Sequence, residues 1–135
     1  MDVKNAFLNG FIGEEVYIEQ SQGFEMSERE SHVCLLRKAL YGLKQAPKAW
    51  YSRIDTYLLQ MGFEKSDDDP NLYCIIRGED TLILILYVDD LFITGVEDLI
   101  VEYKLGLASE FEMSDIGLMH YIWIWSTDWT AFMYT

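Results

Sequence analysis

The sequence predicts an α+β fold in which one antiparallel sheet carries two helices on a single face. Three observations predict it. Apolar residues recur at helical spacing over 47–61 and again over 97–111. Two runs, 81–87 and 91–95, are continuous apolar segments of strand-forming type. Only Val88, Asp89 and Asp90 stand between those runs, so they pair as a hairpin. With 135 residues, half of them hydrophobic and 15% aromatic, the chain can bury one core.

Taken in order, Glu15-Val16-Tyr17-Ile18-Glu19 alternates polar and apolar residues as a half-buried strand does, and the polar loop 25–31 ends it. The stretch 33–40 is apolar with one basic interruption, and Gly42 marks a turn. Pro47 suits the first turn of a helix, where its missing N–H costs nothing. Trp50, Ile54, Tyr57 and Met61 then form an apolar stripe, and Gly62 closes the helix in a left-handed conformation.

Asp69-Pro70 turns the chain into a strand, 72–76, and Arg77-Gly78-Glu79-Asp80 links it to the strand 81–87. The apolar continuity of 81–87 and 91–95 predicts burial on both faces. Glu97 and Asp98 suit the positive end of a helix dipole, and Ile100, Tyr103, Leu107 and Phe111 give the second helix its stripe. The resulting arrangement is ferredoxin-like, with the 81–95 hairpin at its centre.

Composition narrows the function classes. A formal net charge of −13, from 10 basic and 23 acidic residues, argues against a general nucleic-acid grip. The charge is unevenly spread, however. Arg37, Lys38, Lys44, Lys48 and Arg53 lie between Ser31 and Ile54 with no Asp or Glu among them, which is half of all the Lys and Arg. A basic surface and a merely solvated helix face both fit that island. Cys34 and Cys74 lie far apart, with no CxxC spacing, and read as buried or neutral thiols in a reducing, intracellular compartment. The apolar stretch 81–96 is too short for a membrane span and has Asp89 and Asp90 at its centre, and the N-terminus lacks a signal-peptide pattern.

Three segments carry chemistry. In Tyr87-Val88-Asp89-Asp90, two adjacent carboxylates at the tip of a hairpin repel each other, and a hard divalent cation would offset that repulsion; an ordinary turn is the plainer alternative. In 1–10, Asp2 is followed five residues later by Phe7, although a frayed terminus is the better reading of that segment by itself. In 39–50, a glycine turn at Gly42 runs into a helix N-terminus within the basic island, a place to hold an anion.

In this order and spacing, the three segments resemble motifs A, B and C of copia-type retrotransposon reverse transcriptases, and the likeness runs from Met1 to about Tyr121. Supporting pieces are Val16-Tyr17-Ile18-Glu19-Gln20 through Gly23-Phe24, Met61-Gly62-Phe63, the 66–73 stretch and Phe111 to Gly117. The resemblance implies a polymerase palm over 1–121, followed by a divergent tail, 122–135. It further implies RNA-directed DNA synthesis, with Asp2 and Asp89 bridging two Mg²⁺ (or Mn²⁺) ions when substrate is bound. Asp90 would stand beside them and the Val3 carbonyl would be a further ligand. Phe7 would be the aromatic gate that excludes a 2′-hydroxyl; a plain core phenylalanine is its alternative.

Tyr41, Gly42 and Gln45 match motif B positions near the incoming nucleotide and template. Lys44 and Lys48 would be nucleic-acid contacts or solvated lysines. The implied partners are an RNA or DNA template-primer and deoxynucleoside triphosphates.

Departures from the family pattern set further expectations. The basic fingers before motif A are missing, as is the first half of the strand that ends at Asp2. After Tyr121 the primer-grip pattern gives way to Ile122-Trp123-Ile124-Trp125, and thumb, connection and ribonuclease H segments are absent. These departures suggest a decayed element opening at an internal methionine, whose isolated chain is inactive. Two other readings stand beside an enzyme fragment: a remnant that keeps the fold without activity, and an unrelated ferredoxin-like interaction module.

Overall fold

A computed structural model describes residues 1–24 and 31–119. The start of the tail at 122 and the primer-grip departure lie outside the described residues. Among the described residues, eight strands form two sheets, accompanied by two α-helices and a 3-10 turn over Ala6–Asn9. The strands are β1 (Asp2–Val3), β2 (Phe11–Ile18), β3 (Cys34–Lys38), β4 (Glu64–Lys65), β5 (Leu72–Arg77), β6 (Asp80–Tyr87), β7 (Asp90–Gly95) and β8 (Met113–Ser114); the helices are α1 (Ala46–Gln60) and α2 (Glu97–Glu110).

The main sheet has the order β4-β5-β6-β7-β1-β8, every neighbouring pair being antiparallel. The expected hairpin lies at its centre, six residue pairs running from Leu82↔Gly95 to Tyr87↔Asp90. Strands β5 and β6 form the second expected hairpin, closed by Arg77↔Asp80. Strands β2 and β3 make a separate two-stranded ribbon, so the single sheet of the sequence reading becomes two. The ribbon joins the main body where Ala39 donates its N–H to the Gly10 carbonyl at 2.9 Å.

Both helices cover the same face. Trp50, Ile54 and Leu58 of α1 and Leu99, Tyr103 and Leu107 of α2 pack on Leu82, Leu84, Leu86 and Leu91. Phe111 ties the helices together, meeting Trp50 and Tyr57 edge-on at 5.4 and 5.3 Å. Tyr57 also donates its hydroxyl hydrogen to the Gly106 carbonyl at 2.9 Å. Pro47 stands in the first turn of α1, and Gly62, at φ 92°, follows its end as expected.

One expectation for the strands is corrected. The central strands are not buried on both faces, because Ile85 and Tyr87 remain 43% and 68% exposed while Leu82, Leu84 and Leu86 are buried. Apolar residues at every position concealed an alternation that only the placement of both helices on one side reveals. Of the stripe expected along α2, Tyr103, Leu107 and Phe111 are buried, while in the first turn Leu99 is buried more deeply than Ile100, which packs only partly.

Candidate functional site

The site begins with β1, for which the sequence offered a frayed end. Instead Met1 and Leu91 exchange backbone hydrogen bonds at 2.7 and 2.8 Å, Val3 donates its N–H to the Asp89 carbonyl at 2.9 Å, and Lys4 donates to the Glu112 carbonyl. The physical reason is that β7 and β8 leave a gap one strand wide, and Val3 fills the core beneath it at 2% exposure. These backbone bonds seat Asp2 in the sheet. Asp2 stands opposite Asp90 on β7 and opposite Ser114 on β8. Directly opposed residues point to the same face, so Asp2 and Asp90 share the face that the helices leave open.

The turn Val88-Asp89 joins β6 to β7, and Val88 adopts φ 55°. A β-branched residue there costs about 1–3 kcal/mol and persists only when its surroundings enforce it. Two bonds from outside the hairpin do so. Trp50 donates its indole N–H to the Val88 carbonyl at 2.6 Å, and Val3 holds the next carbonyl, that of Asp89. Trp50 was legible as a core residue of the α1 stripe, but nothing in the spacing indicated its bond to the turn.

Carboxylates crowd the tip. Burial, followed by the charges of Asp89 and Asp2, holds the Asp90 carboxyl above its ordinary range. Among the described residues no ion pair involves Asp2, Asp89 or Asp90. Nor is any group of three or more Asp, Glu, His or Cys side chains among them arranged to hold a cation unaided. The Met1 ammonium is a cation whose charge draws the Asp90 carboxyl back down, a smaller influence than burial and the neighbouring carboxylates.

Phe7, in the 3-10 turn after β1, lies with its ring centroid 5.0 Å from that of Tyr41, at a 44° tilt. The fold thus joins the aromatic that follows Asp2 to the turn before α1. Gly42 adopts φ 91°, with open space where a Cβ would stand, so its role is to turn the chain. Gln45 caps α1 and donates its side-chain N–H to Glu14 Oε2 at 3.2 Å. An acidic group of β2 therefore stands beside the helix N-terminus proposed as an anion site. A pocket of about 290 Å³ opens between Phe7, Pro47, Trp50, Tyr51, Asn71 and the strand end Leu86-Tyr87-Val88.

The basic island divides. Arg53 pairs with Glu110 and covers the Phe111 ring, and Lys38 lies over Phe11. Lys44 and Lys48 are exposed and make no ion pair among the described residues. Cys34, on the outlying ribbon, is exposed, and Cys74 is half-buried, so of the two alternatives, buried or neutral, burial does not apply to Cys34. No helix among the described residues is long and apolar enough to cross a membrane.

Comparison with known proteins decides the family. Residues 1–126 match the model of the reverse transcriptase (RNA-dependent DNA polymerase) family. The chain belongs to this family. It is 43% identical over 122 residues to the retrovirus-related Pol polyprotein from transposon RE2 of Arabidopsis thaliana, covering 90% of this chain and 8% of that protein. It is 44% identical over 119 residues to the Pol polyprotein from transposon TNT 1-94 of Nicotiana tabacum, covering 87% of this chain and 9% of that protein. A putative transposon Ty5-1 protein of Saccharomyces cerevisiae is 33% identical over 118 residues, 87% of this chain and 38% of its own length. The chain therefore corresponds to the reverse transcriptase domain of a copia-like Pol polyprotein and spans under a tenth of the length of its plant relatives. No solved structure matches it.

Proposed function

We propose that this reverse transcriptase segment is a ferredoxin-like palm whose carboxylates Asp2, Asp89 and Asp90 hold the two divalent ions of template-directed DNA synthesis. The observation that carries the reading is the register that sets Asp2 opposite Asp90 while Val3 grips the Asp89 carbonyl. The palm assignment is supported by the order β6-β7-β1-β8, with α1 between β1 and β6 in sequence and α2 between β7 and β8.

In this reading Asp2, Asp89 and Asp90, together with the Val3 carbonyl, would hold the ions. The chemistry that Mg²⁺ or Mn²⁺ supplies when bound is activation of the primer 3′-hydroxyl and stabilisation of the departing pyrophosphate. The chain's own contribution is placement: β1 and the clamped turn hold the carboxylates, and Phe7 against Tyr41 forms a wall that leaves no room for a 2′-hydroxyl. Gly42 lets the backbone turn beside the incoming nucleotide, and Gln45 lies near the template. Lys44 and Lys48, free of ion pairs among the described residues, are available to backbone phosphates. The partners are an RNA or DNA template-primer and deoxynucleoside triphosphates, and the fingers, thumb and ribonuclease H functions belong to other segments of a Pol polyprotein.

A chimera tests this. Residues 1–119 replace the matching segment of the TNT 1-94 polyprotein, and incorporation of labelled deoxynucleotide is measured on poly(A)·oligo(dT). Mg²⁺-dependent incorporation that disappears in Asp89→Asn is the expected result. An inert chimera beside an active parent supports the second reading, a segment that has kept the fold and lost the activity.

A further inference from the structure

We infer that Trp50 is a positioning residue for the metal-binding turn, acting through its indole N–H on the Val88 carbonyl. The inference rests on the reading of Asp89 and Asp90 as metal ligands, but its structural half can be tested without any metal.

The turn is two residues long, so the direction of Asp89 depends on the peptide group before it. That peptide's carbonyl, on Val88, is the acceptor of the Trp50 bond. Val88 stands in a conformation that L side chains rarely adopt, and its side chain is half exposed and gains little from packing. Released from Trp50, the Val88-Asp89 peptide can relax toward ordinary β or α values and swing the carboxylate with it.

Trp50 itself has little freedom. It is 2% exposed and meets Phe111 edge-on, and Gly10 fits against its backbone so closely that a Cβ there would lie 2.7 Å from the Trp50 nitrogen. A rigid donor on α1 thus fixes a strained acceptor on the hairpin, and the apolar stripe of the helix places the carboxylates.

The decisive variants separate the N–H from the bulk of the ring. Trp50→Phe removes the donor with some loss of volume, and replacing the indole by its benzothiophene isostere removes the donor while keeping the shape. In both, hydrogen exchange at the Val3 amide, which bonds to Asp89, should accelerate roughly tenfold, the effect of about one lost hydrogen bond, while amides in the centre of β6 keep their protection. Mn²⁺ affinity, read by paramagnetic broadening, should fall by a similar factor. Adding Val88→Gly, which removes the strain, should restore part of it.

Unchanged Val3 exchange in the isostere overturns the inference, as does equal acceleration at β6, which would mark general loosening. Accelerated Val3 exchange in a protein whose wild type shows no Mn²⁺ site upholds the positioning and defeats the metal reading instead.

Discussion

Asp2 and Asp90 are Cα partners across β1 and β7, residues 88 apart in sequence brought to one face of the sheet. The pairing places a carboxylate on each of two adjacent strands beside a third at the turn, an acidic tip that folding must work to assemble.

Weak binding of Mn²⁺ at this tip is therefore expected, because a two-ion site completes its ligands with substrate phosphates. Titration monitored by paramagnetic broadening should show a site in the wild type that is absent in Asp89→Ala. Identical titrations in the two proteins would refute the assignment.

Asp90 should destabilise the fold as pH rises. Its carboxyl is held above its ordinary range by burial and by Asp89 and Asp2, so the folded state retains the proton that the unfolded state releases. The penalty is absent below the ordinary value of 3.8 and fully present above the raised one. Asp90→Asn should raise the urea midpoint at pH 7 and leave it unchanged near pH 3.

Behind the helix face, Tyr73 donates its hydroxyl hydrogen to Asp55 Oδ1 at 2.6 Å, and Lys65 meets the same oxygen at 2.6 Å. Burial pushes the Asp55 carboxyl up, but the bonds from Lys65 and Tyr73 outweigh it and hold the group below its ordinary 3.8. The stabilisation is present above that value and is lost as pH falls through the lowered one. Tyr73→Phe should cost about 1–2 kcal/mol at pH 7 by denaturant titration, a deficit that narrows in acid below pH 3.8.

Gly10→Ala should cost about 1–3 kcal/mol, because the new Cβ would lie 2.7 Å from backbone atoms of Ala49 and Trp50, which cannot yield separately. Gly42→Ala meets no atom and strains only the backbone, at about 1–2 kcal/mol. Thermal melts of the two variants should also differ in kind, with Gly10→Ala alone accelerating exchange at the Val3 amide through the shift of Trp50.

The purified 135-residue polypeptide is expected to extend no primer. Synthesis requires primer, template and triphosphate to be held in line, and a net charge of −13 repels nucleic acid at long range. Incorporation on poly(A)·oligo(dT), abolished by Asp89→Asn, would show that these obstacles do not abolish synthesis.

The sequence alone determined the pieces whose cause is local. Pro47 and the Trp50–Ile54 spacing define α1, Gly62 follows its end, and two apolar runs around Val88 and Asp89 define the central hairpin; each lies within one reach of the chain. The motifs holding Asp2, Gly42 and Asp89 likewise identified the family that the comparisons show. Tertiary structure decided the rest. That β1 enters between β7 and β8, that β2 and β3 leave the sheet as a ribbon, and that β6 buries one face only depend on pairings and packing between distant segments. Trp50 shows the reason most directly: its place in a helical stripe follows from spacing, but its N–H meets the Val88 carbonyl because α1 packs on one side of the sheet at one height, a balance of many contacts that no local pattern records.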